Sequence, residues 1–87
     1  MQVAVFDTYV RRPDGRTMHF DILVPNDGRD QDAVMAHGRA YLADKGIPRE
    51  SLTTTQCRFC HAEQASTAVQ RDIERTGFSI LELEHCD

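Results

Sequence analysis

Two groups of side chains in this 87-residue sequence have the types and spacing to do chemistry. The first is Cys57-Arg58-Phe59-Cys60-His61, with His85 and Cys86 near the end of the chain. Two cysteines separated by two residues supply thiolates at the spacing of a tetrahedral zinc site, which needs two more sulfur or nitrogen donors. His61, His85 and Cys86 are the candidates. The same pair, Cys57 and Cys60, has the spacing of a thiol redox couple. Read with His61, the segment also matches the attachment motif of c-type haem. Free cysteine is itself among the most buried residue types, so packed thiols account for the pattern as well.

The haem reading fails on export. The start, Met1-Gln-Val-Ala-Val-Phe-Asp7, lacks the charged head, apolar stretch and small-residue cleavage site of a signal peptide. No covalent haem is expected, and the expected location is the cytoplasm. In a reducing compartment three cysteines read as metal ligands, redox thiols or core filler before they read as disulfides. No apolar run approaches the roughly 20 residues that cross a bilayer, so no membrane association is expected. The net charge of −4 argues against a nucleic-acid partner, which would demand a basic face. Arg11, Arg12 and Arg16 do cluster at one turn, where they could hold an anion or simply be solvated.

The second group is Asp7, Tyr9, His19 and Asp21. Its candidacy depends on the elements that carry it. Residues 2–10 alternate, with Val3, Val5, Asp7 and Tyr9 opposed to Ala4, Phe6, Thr8 and Val10; residues 17–24 alternate likewise. Between them, Pro13-Asp14-Gly15 has the chemistry of a three-residue hairpin loop. Counting outward from Arg12 facing Arg16 sets Thr8 against Phe20, Phe6 against Ile22, Tyr9 against His19, and Asp7 against Asp21. Two carboxylates directly opposite one another are unfavourable without a shared proton, a cation or a charged histidine. Such a carboxylate–histidine–phenol group can move protons or hold a hard metal ion, and it can equally be the wet face of a sheet.

Beyond the hairpin, Asp30 is the expected cap of a helix reaching Lys45, with Gly46 and Pro48 as stop signals. Its buried stripe would be Val34, His37 or Gly38, Tyr41 and Leu42. Leu52 to Cys57 reads as a short third strand. Thr67 and Gln70 suggest a capping box for a second helix ending near Gly77, and Phe78 to Glu84 reads as the last strand. The order β-β-α-β-α-β predicts one α+β domain over residues 1–87. Its expected form is a mixed four-stranded sheet, with an N-terminal antiparallel hairpin and both helices packed on one face. The third and fourth strands, joined by a helix, should run parallel. Their ends would then meet at one edge and bring Cys57, Cys60, His61, His85 and Cys86 together.

Three segments carry a resemblance: Val5-Phe6-Asp7-Thr8-Tyr9-Val10, Met18-His19-Phe20-Asp21-Ile22 and Cys57-Arg58-Phe59-Cys60-His61-Ala62-Glu63-Gln64-Ala65. In this order they resemble DUF2024, a family of short bacterial proteins described as a domain of unknown function. The resemblance covers nearly the whole chain and implies a single intact domain, but it carries over no activity, cofactor or site residue.

The expected function is a small binding or interaction module, zinc-binding in its sharper form through the Cys-x-x-Cys-His segment. The alternative is a small thiol-redox enzyme using Cys57 and Cys60. If both helices cover the Phe6, Phe20 and Ile22 face, then Val3, Val5, Tyr9 and Leu23 stay partly exposed, which suggests a ligand cleft or a self-association surface, and a homodimer is expected.

Overall fold

The computed structural model covers residues 1–87. The hairpin forms as its turn residues dictate. Strands β1 (Gln2–Arg11) and β2 (Thr17–Pro25) pair antiparallel in the expected register, Asp7 against Asp21 and Tyr9 against His19. Gly15 closes the loop at φ +89°, a conformation that costs a glycine little, and Arg12 N–H donates to the Arg16 carbonyl at 2.8 Å.

Helix α1 (Gln31–Asp44) starts where Asp30 accepts a hydrogen bond from the Ala33 amide at 3.2 Å. It packs through Val34, Met35 and Leu42 onto the Ala4, Phe6, Phe20, Ile22 and Val24 face of the hairpin. Gly38 lets it approach closely, since a Cβ there would stand 2.7 Å from Leu52 Cδ2 and 3.0 Å from Ile22 Cδ1.

The expected third strand is displaced. Thr54–Gln56 form a single 3-10 turn, because Thr53 and Gln56 cap its N-terminus reciprocally, the Gln56 side chain accepting from the Thr53 amide at 3.1 Å. Strand β3 is instead Cys57–Gln64, so the cysteine motif lies inside a strand and does not follow one. Helix α2 (Thr67–Thr76) is capped one residue earlier than expected. The Ser66 side chain accepts from the Val69 amide, and Gly77 ends the helix at φ +93°. Strand β4 is Ser79–Glu84.

The sheet order is β3-β1-β2-β4, and every neighbouring pair is antiparallel. The mixed sheet with parallel third and fourth strands is therefore corrected. Gln64, at the end of β3, lies beside Gln2, while Ser79, at the start of β4, lies beside Leu23. Both positions are at the same end of the hairpin. The chain leaves one edge and enters the other without first travelling back along the strands, so β4 runs opposite to β3. A ten-residue helix, about 15 Å long, suits this transverse crossing of a four-stranded sheet.

The helices also take opposite faces, not one. Val69 and Ile73 of α2 pack with Ala65 on Val3, Val5 and Leu23, all three fully enclosed. Because α2 crosses at one end, it covers that half of the face only. The other half carries Asp7, Tyr9, His19 and Asp21.

Candidate functional site

The uncovered half-face is built on the central hairpin. His19 Nε2 lies 2.5 Å from Asp7 Oδ1, and its ring stacks on Tyr9 with centroids 4.3 Å apart and planes 9° from parallel. Its other nitrogen, Nδ1, is 4.0 Å from Glu84 Oε1. One donor atom from each of Asp7, His19 and Asp21 lies within 4.8 Å of the other two. Partial burial pushes the Asp21 carboxyl above its ordinary range. The charge of Asp7 and a hydrogen bond with it act in the same direction, while His19 and His61 oppose them.

His61 reaches this neighbourhood through an irregularity in β3. The β1–β3 register slips between Val5 and Phe6: His61 opposes Val5, Phe59 opposes Phe6, and Cys60 is left without a partner. In a regular strand His61 would share a face with Cys57, four residues earlier. The extra residue at Cys60 moves it to the Asp7 face, as bulges beside sites commonly re-aim side chains. There His61 Nε2 lies 2.6 Å from Glu63 Oε1. Strand β4 repeats the device. A slip between His19 and Phe20 leaves Leu83 unpaired and sets Glu84 opposite His19. Two bulges on opposite edges thus put His61 and Glu84 on the face that carries the group, Glu84 beside His19 and His61 beside Glu63. Glu84 and the recruitment of His61 went unread in the sequence, since a bulge leaves no local mark there.

The cysteines are dispersed. Cys57 is buried in the α1-side core, where Thr8 Oγ1 donates to its sulfur at 3.6 Å and burial pushes its thiol pKa up. Cys60 is exposed at the bulge. Three residues of extended chain put their Cα atoms roughly 10 Å apart, beyond the roughly 7 Å a disulfide tolerates. Cys86 is buried at the other edge, its thiol donating to the carbonyls of His19 and Glu84 at 3.5 and 3.3 Å. Three strand spacings, about 14 Å, separate β3 from β4. The five candidates Cys57, Cys60, His61, His85 and Cys86 therefore do not converge, because the parallel neighbouring strands that convergence required are absent.

Two of the three clustered arginines, Arg12 and Arg16, bind within the chain. Arg12 Nη1 donates to the carbonyls of His85 and Asp87 at 2.7 and 2.8 Å, and Arg16 pairs with Asp14 at 2.9 Å. A groove of about 300 Å³, lined by Asp7, Tyr9, Thr55, Gln56 and Arg58, adjoins the Asp7–His19–Asp21 group.

The family described as "Domain of unknown function (DUF2024)" matches residues 1–83. The NMR structure of protein NE1680 from Nitrosomonas europaea is similar over 100% of both chains, at 36% sequence identity and a TM-score of 0.85. No curated protein matches the chain.

Proposed function

The chain belongs to the DUF2024 family, and we propose that this member is a small, non-catalytic binding module that captures a divalent cation at Asp7, His19 and Asp21. The observation that carries this reading is the triangle of donor atoms, all within 4.8 Å of one another, on the half-face that α2 leaves open. Two facing carboxylates repel each other, and a dication between them turns that repulsion into coordination. Two oxygens and one imidazole nitrogen form a donor set that zinc accepts. Glu84 Oε1, 4.0 Å from the far nitrogen of His19, adds a third carboxylate charge that favours a cation here. His61 lies on the same face of the neighbouring strand, outside the donor triangle, with its Nε2 held 2.6 Å from Glu63 Oε1.

Thiol chemistry does not enter the reading. Burial raises the Cys57 pKa, whereas an attacking thiol needs it lowered. The reading keeps the cytoplasmic setting, which three free thiols suit.

The test is calorimetric titration of untagged, metal-stripped protein with zinc chloride. One equivalent should bind, and Asp21→Asn or His19→Gln should each weaken binding at least about tenfold. Absence of binding by the folded wild-type protein, or binding indifferent to both substitutions, would refute the site.

A further inference from the structure

From the exposed edge of β3 we infer that the protein pairs with a second copy of itself, β3 against β3, extending the sheet across a two-fold axis at His61. Every residue of Arg58–Gln64 is exposed, and this edge faces no other strand. Such an edge is a ready template for another chain unless charge, proline or irregularity blocks it.

The case for a second copy, and not some other strand, is the placement of charge and apolar surface along the edge. Arg58 opposes Asp7 and Glu63 opposes Val3, so both lie on the Asp7 face. Phe59 opposes Phe6 and Ala62 opposes Ala4, so both lie on the α1 face. Setting aside the bulged Cys60, the sequence 58-59-61-62-63 is symmetric about His61. Two such strands running antiparallel set Arg58 against Glu63 of the second copy, twice, on one face. On the other face they set Phe59 against Ala62, twice.

The bulge makes this symmetry possible. Arg58 and Glu63 are five positions apart, and in a regular strand they would fall on opposite faces and could not meet. Arg58 makes no ion pair within its own chain; its Nε donates to the Thr55 carbonyl at 3.2 Å. Phe59 is 46% exposed, held edge-on to Phe6 with Arg29 over its ring, and the pairing would cover it. The opposite edge cannot do the same. Strand β4 carries Glu82 and Glu84 and no cation of its own, and Glu82 is already paired with Lys45 of its own chain at 2.8 Å, so a second β4 strand brings no opposite charge to meet either carboxylate.

Sedimentation equilibrium of the metal-free protein, with Arg58→Glu and Glu63→Arg variants, tests the pairing. Wild type should reach the mass of two chains at high micromolar concentration and stop there. Each charge reversal alone should weaken the dimer at least about tenfold, because it places like charges together twice. An equimolar mixture of the two variants should recover the dimer, since it restores both opposite-charge contacts. Amide shifts that change with concentration in wild type should fall on residues 58–63. A single-chain mass near millimolar concentration, growth beyond two chains, a dimer unmoved by either reversal, or shifts confined elsewhere would each overturn the proposal.

Discussion

Cys57 and His61 stand four residues apart on one strand yet lie on opposite faces of the sheet. Cys57 faces Thr8 in the core beneath α1, and His61 faces the half-open side with Asp7 and Asp21. One unpaired residue, Cys60, separates the two environments. A motif that reads as a single unit therefore divides into a packed thiol, a surface thiol and a site-facing imidazole.

Deleting Cys60 should leave the protein folded. Removal of one residue from a strand ordinarily turns every later side chain to the wrong face. Here the deleted residue is the unpaired one, and its loss leaves Arg58, Phe59, His61, Ala62 and Glu63 on their present faces. The expected stability change is within about 1 kcal/mol, well below a core loss, with zinc binding retained. Chemical denaturation and the zinc titration measure both, and an unfolded variant would contradict the register.

Asp21 should make the metal-free protein less stable as pH rises. Its folded pKa is raised, so the protonated carboxyl favours the fold. That contribution is full below the ordinary carboxyl value and is lost as pH climbs through the raised one. Asp21→Asn should flatten this fall and, near neutrality, stabilise the apo protein by about 0.2–1 kcal/mol, the scale of a cross-strand pair. Melting temperatures from pH 4 to 7 decide the sign, and a destabilised Asp21→Asn would show that the carboxylates are compensated in another way.

The three thiols should react in two classes. Cys60 is exposed, and alkylation there should be rapid; Cys57 and Cys86 are enclosed and should react on the timescale of opening. Arg12 holds the backbone on both sides of Cys86 through the His85 and Asp87 carbonyls. Arg12→Ala should therefore speed alkylation of Cys86 and leave Cys57 slow. Mass spectrometry of a timed iodoacetamide reaction reads each site separately, and equal acceleration at both would mean global loosening.

Gly38→Val should be among the more damaging changes in the helix. The added atoms meet Leu52 and Ile22, both in the packed core. A cost of about 1–3 kcal/mol is expected from overpacking. Thermal denaturation checks it, and a neutral result would place slack between α1 and the hairpin.

What the sequence made legible was local. Pro13-Asp14-Gly15 set the hairpin register and so placed Asp7 opposite Asp21 and Tyr9 opposite His19. Asp30 and Gly46 marked the limits of α1 through short-range hydrogen bonds and a positive φ. What stayed hidden depends on contacts distant in the chain. The threonine run at 53–55 has strand propensity, but the reciprocal cap between Thr53 and Gln56 turns it. The direction of β4, the face taken by α2, and the bulges at Cys60 and Leu83 follow from how the edges dock on the hairpin. Nothing in residues 57–64 or 79–84 alone encodes that docking.

The sheet order has a kinetic consequence. Only β1 and β2 are joined by a short loop, and each outer strand finds its neighbour across a long stretch of chain: β3 pairs with β1 at separations of 49 residues or more (Thr8 with Cys57), β4 with β2 at 56 or more (Leu23 with Ser79). Pairings of that span form late, because loop closure must come before any contact rewards it. The hairpin is also flanked on both sides in the finished sheet, whereas each outer strand has one neighbour. Its amides, above all those of Phe6, Thr8, Phe20 and Ile22, should be the slowest to exchange with solvent, while β3 opens and closes many times without disturbing them.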